Sequence, residues 1–152
     1  MKKFIIFPVL FLSSFNFAQA NNEQLRKIEL VQGIYKSELR LTQEDTLKLN
    51  ATPELKKILN TRDAIHSQFG GEYCDWVRNI YIPGQDYNTK LNQMKFSVLN
   101  NGLVRAQGVN FGKKFHRDFK VSCDTKSCKI DDVFDPNSYK EEMKELAKKP
   151  SC

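Results

Sequence analysis

The pattern of apolar and polar residues predicts helices in the first half of the chain. Between Asn22 and about Leu39, apolar residues recur every three or four positions, which is typical of one face of an amphipathic helix. Another helix is predicted from Thr52-Pro53-Glu54 to about Gln68, since these residues supply an N-cap, a proline in the first turn and an acid near the positive helix end. A short helix from Thr42 through Leu49 is predicted between them. The predicted buried face of the first helix comprises Leu25, Ile28, Val31, Ile34, Tyr35 and Leu39.

From Met94 to Phe134 the apolar period changes from about 3.6 residues to two, which predicts four strands joined by three turns. Asn100-Asn101-Gly102 is a strong hairpin signal, because Asn-Gly tolerates the positive φ of such turns. Phe111 to Lys114 and Asp124 to Ser127 form the other two turns, and Gly108 predicts a bulge or bend.

The third strand has two distinct faces, and a last helix follows the fourth strand. Phe115, Arg117 and Phe119 alternate with His116 and Asp118, so the triplet His116-Arg117-Asp118 is divided between the faces and cannot act as a kinase-type catalytic loop. Asp135 to Ser138 ends the fourth strand and caps a helix with Tyr139, Met143 and Leu146 facing inward. The order of elements predicts an α+β domain in which N-terminal helices pack on a curved four-stranded antiparallel meander, with a short C-terminal helix.

The first 20 residues predict a secretory signal peptide. Lys2 and Lys3 precede an apolar run, and Ala18-Gln19-Ala20 forms a cleavage site. Residues 21–152 are then the single mature domain, and they contain no second apolar run of spanning length. We therefore expect a periplasmic or secreted protein without a transmembrane segment after cleavage.

Charge adds little evidence about partners. Removing Lys2 and Lys3 lowers the net charge from +6 to +4. Lys140, Lys144, Lys148 and Lys149 predict a solvated lysine-rich helix, and the scattered arginines do not predict a nucleic-acid surface. An acidic protein partner or acidic lipid headgroups are compatible with this charge.

The four cysteines all lie in the predicted mature chain, which suits disulfides in an oxidising compartment. Three pairings are possible. A hairpin turn at Asp124 to Ser127 would bring Cys123 and Cys128 together, which leaves Cys74 for Cys152. A zinc site built from these cysteines with His66 or His116 is disfavoured, because no paired C-x-x-C spacing occurs. We expect no metal and no cofactor.

The irregular stretch from Glu72 to Lys90 is the predicted binding region, because aromatic-rich loops often carry ligand contacts. Its candidate binding residues are Trp76, Tyr81, Asp86 and Tyr87. The alternative is structural: Trp76, Val77, Ile80 and Ile82 close one end of the core, and Asp86 caps a turn.

An enzyme is the weaker prediction. The sequence contains no nucleophile, metal or nucleotide motif, and Asp131-Asp132 in a strand should point to opposite faces. Asp86, His116 and Asp132 are the acid-base groups that a small hydrolase or isomerase would use.

Several short motifs resemble a family of small bacterial envelope proteins of unknown function that have the nuclear-transport-factor-like (cystatin-like) cone fold. They are Ile34-Tyr35 in the first helix, the Thr52-Pro53-Glu54-Leu55 helix start, the loop Gly84-Gln85-Asp86, the strand Cys128 to Val133 and Ser138-Tyr139. The resemblance covers most of residues 25 to 147. It implies helices on the concave side of a curved sheet, often with a pocket between them, although Cys128 stands where the family usually has tryptophan.

Together these features predict a non-catalytic exported binding protein with a protein partner in the cell envelope. An immunity-type inhibitor of an envelope-targeted toxin and an accessory of an envelope complex are the two specific versions. A cofactor-free hydrolase or isomerase that uses the cone pocket is the alternative.

Overall fold

The computed structural model describes residues 14–40, 45–70, 74, 76, 79–84 and 86–152, with side chains from residue 21 onward. Four helices and five strands follow in the order α1 Ser14–Glu38, α2 Thr46–Asn50, α3 Pro53–Gln68, β1 Lys95–Val98, β2 Val104–Asn110, β3 Lys113–Cys123, β4 Cys128–Asp135, β5 Asn137–Ser138 and α4 Tyr139–Lys148. A single 3₁₀ turn, Leu91–Gln93, precedes β1. None of the helices in the described residues is long and apolar enough to span a membrane.

The strands form one antiparallel sheet in the order β1-β2-β3-β4-β5. The α+β class is confirmed, with helices before a four-stranded meander and a short helix after it. Strand β5 adds two residues that fold back on the end of β4. Helix α1 packs against β1 to β4, whereas α3 packs mainly on α4.

Local sequence signals set the helix starts. The Thr52 hydroxyl accepts a hydrogen bond from the Leu55 amide, and Pro53 occupies the first turn, as predicted for α3. Asp45 caps α2, which begins at Thr46; the predicted start at Thr42 lies outside the described residues. In α1 the buried stripe begins at Ile28, so the prediction that Leu25 faces inward is wrong: that side chain is 56% exposed.

An aromatic cluster fills the space between α1 and the sheet. The fully buried Tyr35 ring makes edge contacts with the rings of Tyr81, Phe96 and Phe119 at centroid distances of 5.7–6.0 Å. Tyr81 also stacks on Phe119. Geometries of this kind add to the stabilisation from burial alone.

The sheet irregularity lies in β4, and the predicted bulge at Gly108 is wrong. Gly108 pairs in continuous register with Phe115, whereas the register between β3 and β4 shifts between Lys120 and Val121, which makes Asp131 the extra residue in β4. Gly108 is needed for a different reason: a Cβ at this position would meet the Phe115 ring at 3.0 Å.

Asp131 and Asp132, predicted to point to opposite faces of the strand, lie at this bulge and have Lys140 as a common partner. Both residues are buried, and both accept hydrogen bonds from Lys140. Asp131 accepts from the Lys140 ammonium at 3.2 Å, and Asp132 accepts from the Lys140 amide at 2.9 Å. The prediction that Lys140 lies on a solvated helix face is wrong, because Lys140 is buried and its ammonium contacts Asp131 of β4. Lys148 and Lys149 are exposed, as predicted.

The described residues form two disulfides. Cys123 and Cys128 join the ends of β3 and β4, and Cys74 joins Cys152 across 78 residues. The expected pairing is therefore the one in the structure.

Candidate functional site

Tyr81, the first of the predicted binding residues, belongs largely to the core. Its side chain is 6% exposed, and its carbonyl accepts a hydrogen bond from the Tyr35 hydroxyl at 2.9 Å. Its own hydroxyl is buried without a hydrogen-bond partner among the described residues, and Tyr81 is one of the residues that line a small cleft beside α1. Burial raises the pKa of Tyr81 well above its usual value.

Trp76 lies near the C-terminus of the chain rather than beside Tyr81. Its indole N–H donates to the carbonyl of Ser151 at 2.8 Å. Its ring and the His66 ring form a T-shaped pair with a centroid distance of 6.0 Å. This position is next to the disulfide between Cys74 and Cys152. The half-buried Trp76 therefore contacts the end of the chain, and it also packs against the hydrophobic core. The predicted alternative of core closure thus describes Trp76 together with the buried Ile80 and Ile82. Val77 lies outside the described residues.

Asp86 and Tyr87 lie farther along the same loop. The Asp86 carboxylate is exposed and makes no hydrogen bond or ion pair with the described residues, so it neither caps a turn nor meets Tyr81. The Tyr87 hydroxyl donates to the Glu38 carbonyl at the end of α1. Tyr81 and Tyr87 thus both contact α1, whereas Trp76 contacts the C-terminal end of the chain.

Two buried side chains of the sheet hold this loop in place, and sequence patterns did not single them out. The Asn110 amide donates to the carbonyls of Pro83 and Asp86 at 2.8 and 3.2 Å. The Arg117 guanidinium donates to the Ile80 carbonyl at 2.8 Å and pairs with Asp135 at 2.7 Å. Alternation correctly placed Arg117 inside, but its partners come from distant parts of the chain.

The three acid-base candidates occupy three separate places. Asp86 is in the loop, and His116 is exposed on the outer face of β3. Asp132 is buried and is used to cap α4, because it accepts from the Ser138 hydroxyl and from the Lys140 amide. This placement gives no shared acid-base centre.

A different feature stands out at the tip of the β2–β3 hairpin. The two turn residues are Phe111 and Gly112, with φ of 45° and 78°. Positive φ at both positions is typical of a type I′ turn, in which asparagine, aspartate or glycine is usual and a bulky aromatic residue is an outlier. The Phe111 amide donates to the Asn88 side chain at 2.7 Å, which helps to hold this conformation.

The Phe111 ring is 60% exposed, and the neighbouring Val109 is 39% exposed. Lys113 and Lys114 follow directly and are exposed as well. We call Val109, Phe111, Lys113 and Lys114 the tip surface. It combines an apolar centre with two positive charges.

A groove of about 460 Å³ continues from the tip surface across the outer face of the sheet. Lys95, Gln107 and His116 form one row across β1, β2 and β3 along it. Lys95, Lys113 and Lys114 form no ion pair with the described residues. Asp118 on the same face is already paired with Arg105 through two 2.7 Å hydrogen bonds, so the unpaired charges that line the groove, on Lys95 and Lys114, are positive.

No known protein family, curated protein or solved structure matches this chain. The α+β class of the domain is shown by its own helices and sheet.

Sequence reasoning missed the tip surface although one signal was present. The sequence predicts a turn over Phe111 to Lys114, which includes Phe111 but does not distinguish it from the other turn residues. The register Asn110 to Lys113 is what makes the loop only two residues long and forces positive φ on Phe111. That register cannot be read from the turn residues themselves.

Proposed function

We propose that residues 21–152 form a non-catalytic exported interaction protein, which binds a protein partner in the cell envelope through the tip surface. The observation that carries the proposal is the exposed aromatic ring of Phe111 on left-handed backbone. Strained conformations of this kind persist where the surrounding structure enforces them, and they concentrate at functional sites. An exposed aromatic side chain at a tight turn is well suited to fill a pocket on a partner.

The filled interior also favours binding over catalysis. Tyr35, Tyr81, Phe96 and Phe119 occupy the space between α1 and the sheet in which the resembled cone fold would hold a substrate. The separation of Asp86, His116 and Asp132 gives no support to a hydrolase or isomerase.

The charge of the surrounding surface indicates the chemistry of the partner. Unpaired Lys95, Lys113 and Lys114 would be matched by acidic residues around an apolar pocket. Both specific versions, an immunity-type inhibitor of an envelope-targeted toxin and an accessory of an envelope complex, are compatible with such a surface. Export is supported by the predicted signal peptide and by the two disulfides.

Affinity capture from envelope extract tests the proposal with the variant Phe111→Asn. Asparagine accepts left-handed backbone, so this change keeps the turn and removes the ring; stability should stay equal or rise by up to about 1 kcal/mol. We expect the variant to lose the partner that the wild-type protein captures. Leu49→Gln is the matched control, since Leu49 is 55% exposed on α2, away from the hairpin. Equal capture by the wild type and Phe111→Asn would exclude the tip surface.

Charge reversal provides a second test. Lys114→Glu should weaken capture and slow association, with the largest effect at low salt, because the rim charge steers the partner. Lys57→Glu makes the same change in net charge at an exposed position of α3. If both reversals weaken capture equally, the effect comes from net charge and not from this surface.

A further inference from the structure

A second candidate site lies on another part of the molecule. A cleft of about 180 Å³ is bounded by the end of α1, the start of α2, α3, the loop at 79–81 and the start of α4. Its polar lining consists of Glu38, Asp45, Arg62, Asn79, Tyr81 and Tyr139. A volume of this size holds roughly six waters and is smaller than a drug-sized pocket.

The buried hydroxyl of Tyr81 is the observation that points to a ligand. Tyr81 is one of the residues that line this cleft, it is more than nine-tenths buried, and no hydrogen-bond partner for its hydroxyl lies among the described residues. The cleft-lining Asp45 and Glu38 act on the pKa of this hydroxyl, which places it close to them. Buried hydroxyls are nearly always paired, because an unpaired one loses its hydration without compensation. A hydrogen-bonding group bound in the cleft would supply the missing partner.

Glu38 also has capacity for a donor. One of its carboxylate oxygens accepts from the Asn79 amide at 2.9 Å, and no hydrogen bond from the described residues to its other oxygen is present. Burial raises the pKa of Glu38; the hydrogen bond from Asn79 opposes this shift and the negative charge of Asp45 adds to it. A half-buried carboxylate without a cationic partner would gain from a positive charge nearby.

The one guanidinium in the lining is already engaged. Arg62 donates to Asp45 at 3.0 Å, to the Tyr139 hydroxyl at 3.2 Å and to Asp63 at 2.6 Å. Asp45 therefore has a cationic partner, and Arg62 has little capacity to attract an anion into the cleft. The unmatched charge of the lining is the negative charge of Glu38.

We infer that this cleft binds a small organic cation that carries N–H donors, an alkylammonium or a guanidinium group, with Glu38 as its counter-ion and Tyr81 as a hydrogen-bond acceptor. The inference goes beyond the tip surface and does not depend on it. Two sources can supply such a cation. One is a free amine or guanidine, and the other is a lysine or arginine side chain of a partner protein.

Titration of the exported protein with propylamine and propylguanidine, followed by amide NMR, tests this site. We expect saturable shifts at Asn79 and Tyr81 with both probes. Neutral 1-propanol and tetramethylammonium, which lacks N–H donors, should produce none. Absence of saturable shifts with the two donor cations at millimolar concentrations, or equal shifts with the two controls, would overturn the inference.

Two variants separate binding from folding. Tyr81→Phe removes only the unpartnered hydroxyl, so we expect an unchanged or raised Tm together with roughly 5-fold weaker binding. Glu38→Gln should weaken binding about 10-fold or more. Glu29→Gln, an exposed position on α1, is the control and should bind as the wild type does. Wild-type affinity in Tyr81→Phe and Glu38→Gln would exclude the cleft.

The same variants identify the source of the cation. If a partner's side chain supplies it, Glu38→Gln will also reduce capture from envelope extract; if the cation is free, capture will be unchanged while amine binding is lost. Either result supports the chemistry of the cleft, and neither affects the Phe111→Asn test of the tip surface.

Discussion

The fit of Phe115 against Gly108 shows how closely single residues are packed in this sheet. The two residues pair across β2 and β3, and the Phe115 ring covers the place where a Gly108 side chain would begin. Gly33 in α1 differs, because a Cβ there would meet nothing within 4 Å. The two glycines therefore predict opposite effects of the same substitution.

Gly108→Ala should destabilise the protein by about 1 kcal/mol, because the new Cβ would approach the Phe115 ring to 3.0 Å and Met94 to 3.3 Å. Gly33→Ala should stabilise the protein by about 0.5–1 kcal/mol, because alanine loses less backbone conformational entropy than glycine when the helix forms. Urea unfolding of both variants measures the difference. A stabilising Gly108→Ala would show that the ring moves aside freely.

The ion pairs of Asp131 predict how the free energy of unfolding depends on pH. Burial alone would raise its pKa, but the hydrogen bonds and charges of Lys120 and Lys140 outweigh burial and hold the pKa below its usual range. A carboxyl whose pKa is lower in the folded state stabilises the fold above its unfolded pKa of about 3.9 and loses that contribution as the pH falls through the folded value.

Asp131→Asn should therefore cost about 2 kcal/mol at neutral pH, and the difference from the wild type should shrink below about pH 4. Unfolding free energies measured between pH 2 and pH 7 test this. A difference that stays constant over that range would mean that the charge of Asp131 is not what stabilises the fold.

At the scale of elements, local signals could be read from the sequence, whereas contacts between elements could not. The Thr52-Pro53 start of α3 and the two faces of β3 depend on neighbouring residues and were predicted. The bulge at Asp131 and the burial of Lys140 depend on how α4 meets β4, about which residue spacing carries no information. The candidate site follows the same rule: the aromatic loop was visible in the sequence, but its anchors Asn110 and Arg117 lie in the sheet and could not be read from the loop.

The two disulfides should differ in their contribution to stability. Cys74–Cys152 closes a far longer loop than Cys123–Cys128, with sequence separations of 78 and 5. Loop entropy in the unfolded chain predicts about 4.5 kcal/mol for the first and about 2 kcal/mol for the second. The paired variants Cys74→Ser with Cys152→Ser and Cys123→Ser with Cys128→Ser, compared by thermal unfolding, should show the larger loss for the first pair. The reverse order would contradict this prediction.

At the scale of the molecule, an aromatic interior and a basic, aromatic-tipped hairpin define the proposed role. The rings of Tyr35, Tyr81, Phe96 and Phe119 occupy the interior, so recognition is assigned to the surface. The exposed ring of Phe111 and the unpaired lysines around it give that surface both an anchor and a charge.

Photo-crosslinking from the hairpin tip tests the central claim most directly. Phe111→p-benzoylphenylalanine keeps an aromatic side chain at the tip, and the same substitution at Leu49, 55% exposed on α2, is the control. After irradiation in the cell envelope, we predict one discrete adduct of higher mass with the residue 111 variant and none with the residue 49 variant. No adduct at residue 111, or the same adducts at both positions, would contradict the assignment of the tip surface as the binding site.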